Sequence, residues 1–172
     1  QDRVIQMYGG LVFMAFRKDY VEANNKGIYE ELDPSVISST SASHLNLYIA
    51  FDPNRAEESG KVHKKVKRLF EEKKPDILSA MSEFADIAQQ GRDLLVAQAN
   101  QVEREGGGGQ RMYTASVYRQ LAELVNANFD LRDRIFHVAE ENRRMVMTAR
   151  KCGASAKFAG SGGAIVGTYE DA

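Results

Sequence analysis

The sequence contains a single cysteine, Cys152, among its 172 residues. One cysteine cannot form an internal disulfide, which excludes a small disulfide-stabilised protein and favours a reducing compartment such as the cytoplasm. The longest apolar stretches, 11–16 and 45–51, are far shorter than the roughly 20 residues that span a bilayer, so no membrane helix is predicted. The chain begins at Gln1 without a basic segment followed by an apolar one, so no secretory signal is expected.

The sequence also has no excess of charge of either sign. Lysine and arginine number 23 and aspartate and glutamate 24, which gives a formal net charge of -1. A neutral chain is not attracted as a whole to nucleic acid or anionic lipid, so such a partner would need a local basic patch. Hydrophobic residues make up 43% and charged residues 27%, which favours a folded, soluble domain over a disordered or collagen-like chain.

Strands are predicted at both ends of the chain, where β-branched and aromatic residues are frequent or apolar residues alternate with polar ones. Near the start, the predicted strands cover residues 4–8, 11–16, 28–32 and 44–51, with a turn or bulge at Gly9-Gly10. Near the end, they cover residues 156–159 and 164–168.

Helices are predicted between these strands, because apolar residues recur there with a period of 3.6. The predicted helices cover residues 57–72, 77–98 and 114–128, and a further helical segment covers 129–152. Pro75 separates the first two, Thr114 is placed to cap the third, and Gly153 suits a left-handed C-terminal cap. Four glycines, 106–109, predict a mobile loop, because glycine loses much conformational entropy in a helix. This order predicts an α+β fold with helices on one face of a largely antiparallel sheet.

A glycine-rich segment, 157–164, joins the last two predicted strands. The chain has no Walker phosphate loop, and a dinucleotide fingerprint starting at Gly160 fails because Ile165 stands where glycine or alanine is needed. A nucleophile elbow at Ser161 would need a later histidine, but all three histidines precede it. Two interpretations stay open: a tight hairpin, or a loop whose missing Cβ atoms let the backbone approach a ligand phosphate.

One local basic patch is present, since residues 61–74 include seven basic residues and two acidic ones. Four of the basic residues share one helical face: Lys61, Lys64, Lys65 and Arg68. Because no aromatic residues are interleaved with them, a solvated helix face is favoured over a nucleic-acid interface. If Lys61 or Lys64 faced a cleft, it would attract an acidic sugar or a nucleotide phosphate. The histidines and Cys152 are too widely spaced for a local metal site, so none is predicted.

Five blocks of sequence, spread over nearly the whole chain, carry a family resemblance. The block at 156–166, AKFAGSGGAIV, resembles the third motif of the GHMP kinases, the family of galactose, homoserine, mevalonate and phosphomevalonate kinases. The block at 1–10, QDRVIQMYGG, is similar to the stretch that carries the catalytic aspartate in sugar kinases of that family. Three further blocks look like the glucuronokinase-like branch of sugar-1-kinases: 8–14, 59–63 and 128–132.

The resemblance implies roles for individual residues. Asp2 is implied to be the carboxylate that orients and deprotonates the attacking anomeric hydroxyl. A loop close to the nucleotide phosphates is implied for four residues: Gly160, Ser161, Gly162 and Gly163. Candidate charge contacts are Lys157, Lys61 and Lys64. The chain departs from the family at Ala159, where threonine is frequent before the glycines, and so lacks a hydroxyl there.

The resemblance also implies a domain organisation. Residues 1–33 would be the end of an N-terminal GHMP kinase domain with its following strands, and residues 34–172 a ferredoxin-like C-terminal GHMP domain, truncated at its end. The family's glycine-serine phosphate loop, and the serine and glutamate that hold magnesium, do not occur in this sequence and would lie upstream.

The function implied is that of the C-terminal domain of a cytoplasmic, ATP-dependent and Mg²⁺-requiring kinase. It would phosphorylate the anomeric hydroxyl of a monosaccharide or a glucuronate-like sugar acid, with ATP, the sugar and the N-terminal GHMP domain as partners. The chain alone is expected to be inactive, because the triphosphate loop is missing from it. The alternative is a non-catalytic ferredoxin-like binding or regulatory module whose glycine loop serves only as a hairpin.

Overall fold

A computed structural model describes residues 2–32, 45–55, 59–104, 114–136 and 138–170 of the chain. The helices of the described part are α1 (Asp2–Tyr8), α2 (Lys18–Asn24), α3 (Ser59–Glu71), α4 (Pro75–Arg104), α5 (Ala115–Ile135) and α6 (Glu140–Lys151), with a 3-10 turn at Pro53–Arg55. Its strands are β1 (Leu11–Ala15), β2 (Ile28–Leu32), β3 (Leu47–Phe51), β4 (Lys157–Phe158) and β5 (Ala164–Thr168). None of these helices is both long and apolar enough to cross a membrane.

The chain divides into two compact units, and α4 contributes residues to both. The first unit comprises residues 1–45 and 88–113, and the second comprises residues 46–87 and 114–172. The predicted glycine loop at 106–109 and the predicted boundary between residues 33 and 34 lie outside the described residues.

In the first unit, β1 and β2 form an antiparallel hairpin in which Leu11 lies opposite Leu32. Arg92, in the later part of α4, donates two hydrogen bonds of 3.0 and 2.6 Å to the carboxylate of Glu30 in β2. Paired hydrogen bonds between a guanidinium and a carboxylate fix the mutual orientation of their elements. The part of α4 around Arg92 is therefore held against this hairpin.

Residues 4–8 are helical, so the prediction of a strand there was wrong. Helix α1 ends at Tyr8, and the next two residues, Gly9 and Gly10, have φ angles of 70° and 56°. Glycines in the left-handed conformation commonly terminate helices, so this pair ends α1 and does not form a bulge between strands. Helix α2 was not predicted at all; it ends at Asn24 and is capped by Asn25, whose φ of 52° is one that asparagine tolerates.

In the second unit, three strands form an antiparallel sheet in the order β3-β5-β4. Phe158 lies opposite Ile165, and these two side chains face α5 and α6. The core between sheet and helices consists of Phe129, Val138, Val146, Ala156, Phe158 and Ile165. The rings of Phe129 and Phe158 meet edge to face with centroids 5.3 Å apart, an arrangement that aromatic pairs prefer.

The predicted helical segment 129–152 is interrupted. Helix α5 ends at Ile135 and α6 begins at Glu140, with Phe136 and Ala139 in extended conformations between them. The interruption places Val138 in the core, where only 5% of its surface is exposed. No glycine or proline marks the break, so burial of this side chain, rather than a local breaker, accounts for it.

Two predicted helix ends are confirmed. The hydroxyl of Thr114 accepts a hydrogen bond from the amide of Val117 at 3.3 Å and so caps α5. Gly153 follows α6 with a φ of 83°, as expected for a left-handed residue after a helix. The α+β class is also confirmed, and the described residues form two small antiparallel sheets instead of the one predicted. The three-stranded sheet is compatible with a ferredoxin-like domain.

Gly167 lies in β5 directly against the backbone of Ser155. A Cβ atom at position 167 would overlap the carbonyl oxygen of Ser155 and lie 2.6 Å from its carbonyl carbon. The two segments are held together because the amide of Ser155 donates to the Thr168 carbonyl at 2.9 Å and the amide of Thr168 donates to the Ser155 hydroxyl at 2.8 Å. Only glycine therefore fits at position 167.

We predict that Gly167→Ala lowers the free energy of unfolding by about 1–3 kcal/mol or more, because the methyl group forces the backbone of Ser155 away. Gly160→Ala is the matched control, since a Cβ atom at position 160 meets nothing within 4 Å. Urea denaturation followed by circular dichroism measures both. Equal stability of the two variants would contradict this account of the packing.

Candidate functional site

The glycine-rich segment forms the turn between β4 and β5, and residues 159–164 are called the glycine hairpin below. The amide of Ala159 donates to the carbonyl of Ala164 at 3.0 Å and closes the turn. The predicted order of strand, glycine loop and strand is therefore confirmed. The hairpin geometry does not decide between a purely structural turn and a phosphate loop, because either needs a close backbone turn.

Gly163 is held on both sides by the protein itself. Its amide donates to the side-chain oxygen of Asn142 at 3.0 Å, and its carbonyl accepts from the amide of Asp52 at 2.8 Å. Asn142 is 2% exposed, so its side chain bridges α6 and the hairpin inside the core. Gly163 adopts a φ of 76°, which favours glycine. Its amide is already used, so this residue anchors the hairpin and does not offer its amide to a ligand.

Two other amides of the glycine hairpin are unused. In the described part of the chain, the backbone amides of Gly160 and Gly162 make no hydrogen bond. Gly160 is exposed and Gly162 half-buried, so a ligand can reach them from the solvent side. Backbone amides that are exposed in a turn can donate hydrogen bonds to an anion. The carbonyl of Ser161, between them, accepts a hydrogen bond of 3.1 Å from Arg132.

Two cationic side chains lie at the base of the glycine hairpin. The guanidinium of Arg132, in α5, lies 4.9 Å from the ring centroid of Phe158 and 5.3 Å from that of Phe136. Lys157 is half-buried, and its amino group donates to the carbonyl of Phe158 at 3.2 Å. Burial, and secondarily the charge of Arg132, lowers the pKa of Lys157 below its usual value. Sequence reasoning did not select Arg132, although it ends the family-like block 128–132.

The remaining predicted site residues lie elsewhere. Asp2 is the first residue of α1 in the first unit, whereas the glycine hairpin belongs to the second unit. Lys61 lies in the first turn of α3, and the side chain of Lys64 on the same helix is exposed. The role of each of these residues stays a prediction.

The basic helix α3 also forms ion pairs within itself. Lys67 and Arg68 approach the carboxylates of Glu71 and Glu72, one helical turn further, at 3.8 and 3.6 Å. All four side chains are largely exposed. Such pairs are typical of a solvated helix surface and contribute little to stability.

A groove of about 460 Å³ lies between α6 and the three-stranded sheet. Its lining is Tyr48, Ala50, Asp52, Glu141, Arg144, Met145, Thr148, Ala149 and Ile165. This volume is within the range of ligand pockets, which is about 300–1,000 Å³. The groove contains none of the site residues selected from the sequence. Among the described residues, no three or more histidine, cysteine, aspartate or glutamate side chains are grouped so that they could hold a metal ion.

Two curated proteins of Arabidopsis thaliana are similar to almost the whole chain. Glucuronokinase 1 is 36% identical over 169 residues, and probable glucuronokinase 2 is 38% identical over 170 residues, each covering 96% of this chain. The chain is similar to these two glucuronokinases along almost its whole length. The resemblance predicted from the sequence blocks is thus confirmed.

This glucuronokinase-related chain spans 40% and 39% of the lengths of the two relatives. No protein-family model matches it. No solved structure matches it significantly. The comparisons therefore show similarity to part of two glucuronokinases, whereas the description of the fold rests on the structure of the chain itself.

We predict that Asn142→Leu lowers the free energy of unfolding by about 1–3 kcal/mol, because it leaves the buried amide of Gly163 without an acceptor. Thr148→Val on the same helix is the control; this side chain is exposed, so its replacement should change stability by less than about 0.5 kcal/mol. Thermal unfolding compares the variants. A fully stable Asn142→Leu protein would show that the hairpin does not depend on this contact.

Lys157 leads to a pH-dependent prediction. Because the pKa of Lys157 is lower in the folded state than in the unfolded chain, its charged form destabilises the fold at neutral pH. This destabilisation disappears as the pH rises through the lowered pKa towards the usual pKa of lysine. We therefore predict that Lys157→Met is at least as stable as the parent at pH 7. The difference in the free energy of unfolding between the two proteins should shrink as the pH rises from the lowered pKa of Lys157 towards the usual pKa of lysine. Urea denaturation at several pH values measures the difference, and a difference independent of pH would contradict the prediction.

Proposed function

We propose that this glucuronokinase-related chain is the C-terminal part of an ATP-dependent kinase that phosphorylates the anomeric hydroxyl of a sugar or sugar acid. The observation that carries the proposal is the similarity to two glucuronokinases along 96% of the chain. Glucuronic acid is accordingly the first substrate to test. The N-terminal GHMP domain of such a kinase would be the partner of this chain, and a cytoplasmic location is proposed from the lone, exposed Cys152.

The glycine hairpin is proposed to lie close to the phosphates of ATP. The unused amides of Gly160 and Gly162 support this role, because backbone amides bind phosphate oxygens where no Cβ atom intervenes. Phosphoryl transfer depends mainly on positioning and on electrostatic stabilisation of the transferred group. A rigid hairpin with free amides can supply both.

Asp2 is proposed to orient the sugar hydroxyl and accept its proton. This assignment rests on the similarity of the block at 1–10 to the stretch that carries the catalytic aspartate in sugar kinases of the family. Mg²⁺ would accompany ATP, but the described residues contain no cluster that could hold it. No step of the reaction is therefore assigned to a metal bound by these residues.

A non-catalytic binding module is the alternative function. Both named relatives are kinases, so the comparisons give this alternative no support. It would become the better account if the complete protein showed no sugar-dependent consumption of ATP.

We predict that Asp2→Asn, in the full-length protein, lowers the turnover number with glucuronic acid by at least about 100-fold and changes the affinity for ATP little. The reason is that the carboxylate acts on the sugar hydroxyl in the transition state and not on the bound nucleotide. A coupled assay of ADP release, with glucose and galactose as comparison sugars, measures the effect.

The matched control is Asp19→Asn, because Asp19 is an exposed aspartate of the same unit that pairs with Arg17 at 2.7 Å. It should retain full turnover. Near-normal turnover of Asp2→Asn would remove Asp2 from the mechanism. Absence of activity with every sugar in the parent protein would overturn the kinase proposal itself.

A further inference from the structure

Strand β3 lies at one edge of the three-stranded sheet. The sheet order is β3-β5-β4, so in the described part of the chain β3 pairs only with β5. Proteins usually protect an edge strand with a lysine, a proline or a bulge, because an unprotected edge pairs readily with another strand. The sequence of β3, LYIAF, contains no charged residue and no proline, and its register with β5 is uninterrupted. The outer edge of β3 therefore lacks this protection.

The backbone groups at this outer edge belong to alternate residues of β3. The carbonyl of Asn46 accepts a hydrogen bond from Tyr169. The amide of Asp52 donates to the carbonyl of Gly163, so even-numbered positions bond towards β5. Residues that exchange hydrogen bonds alternate in an antiparallel pair with residues that do not. The odd-numbered residues of β3 therefore direct their amides and carbonyls to the outer edge: Leu47, Ile49 and Phe51.

The side chains of the same three residues form an apolar stripe. Tyr48 and Ala50, which alternate with them, line the groove beside α6. Because successive side chains of a strand point to opposite faces, the apolar stripe lies on the face away from α6. The exposed fractions are 50% for Leu47, 66% for Ile49 and 72% for Phe51. Large apolar side chains grouped on an exposed surface indicate a site of protein contact.

A second copy of β3 fits the outer edge in one symmetric register. When two copies run antiparallel with Ile49 opposite Ile49 of the second copy, Leu47 lies opposite Phe51. Each amide that one copy directs to the outer edge then meets a carbonyl of the other copy. Pairs of β-branched or aromatic side chains that lie directly opposite each other stabilise a sheet. No residue of β3 is charged, so this register brings no like charges together within the strand.

Pairing through β3 ends at two copies. The opposite edge of the sheet is β4, which has only two residues, Lys157–Phe158. A short edge strand that carries a lysine is protected against pairing. A two-fold contact uses the same surface on both copies, so no second β3 edge is left for a third copy.

We propose that two copies of this chain associate through β3 and form one continuous antiparallel sheet. A second copy is the partner because its own strand matches the outer edge in both hydrogen bonding and apolar side chains. The contact is confined to one strand of each copy, so it is smaller than the roughly 1,600 Å² that a standard protein interface buries, and the dimer dissociates on dilution. This inference does not rest on the proposed kinase function.

The test is sedimentation equilibrium of the full-length protein over a range of concentrations, in which the dimer fraction should rise with concentration. Ile49→Lys places two lysines opposite each other across the two-fold axis and should raise the dissociation constant at least about tenfold. The matched control is Leu78→Lys, because Leu78 is an exposed leucine of α4 and its replacement should leave the dissociation constant unchanged. Circular dichroism checks that both variants are folded.

A mixture of two variants tests the register. Because residue 49 lies opposite itself, Ile49→Lys and Ile49→Glu should each be monomeric when alone. When they are mixed, the lysine of one copy lies opposite the glutamate of the other, so a dimer that contains one copy of each should form.

Hydrogen exchange tests the pairing without any substitution. The amides of Leu47, Ile49 and Phe51 should exchange more slowly as the protein concentration rises. The amides of Tyr48 and Ala50 bond to β5 and should be protected at every concentration.

Three results would each overturn the inference: a parent protein that stays monomeric at every concentration, an Ile49→Lys variant that dimerises as well as the parent, or a mixture that forms no dimer. Edge amides that are protected in a monomeric protein would show that another segment of the same polypeptide pairs with β3, which also overturns it. A monomeric parent with sugar-kinase activity would retain the kinase proposal. A dimer that depends on Ile49, in a protein without that activity, would support this inference and contradict the kinase proposal.

Discussion

The site of the second unit depends on one buried hydrogen bond, from the amide of Gly163 to the side chain of Asn142. A buried amide must be satisfied, and here its acceptor comes from α6 and not from a neighbouring strand. The carbonyl of the same glycine is taken by Asp52, just after β3. One residue thus joins a helix, an edge strand and the glycine hairpin, and the position of the other hairpin residues follows from that anchor.

The anchored hairpin combines features that a simple turn does not need. A turn requires a glycine where the backbone has a positive φ, which Gly163 provides. It requires neither the unused amides of Gly160 and Gly162 nor an arginine bound to the carbonyl between them. The unused amides support the ligand-binding role proposed for the hairpin.

Much of the fold could be predicted from the local pattern of apolar residues, glycines and prolines in the sequence. The 3.6-residue period, Pro75 and the cap at Thr114 predicted the three longest helices, and the glycine-rich turn with its flanking β-formers predicted β4 and β5. The prediction of a strand was wrong at α1. The preference of single residues for strands is weak, and a pair of glycines can end a helix as well as bend a strand. The local pattern also failed between α5 and α6, where burial of Val138 decides the conformation and no local breaker is present.

The sequence by itself determined the relationship to the glucuronokinases and the identity of the glycine hairpin, since both depend on contiguous blocks of residues. Only the tertiary structure decided which residues hold that hairpin. Asn142 contacts Gly163 across 21 positions, and Arg132 contacts Ser161 across 29. A buried asparagine and an arginine between two phenylalanine rings look like ordinary helix residues in the sequence. Their roles come from the packing of α5 and α6 on one sheet, because contacts between distant residues leave no trace in local periodicity.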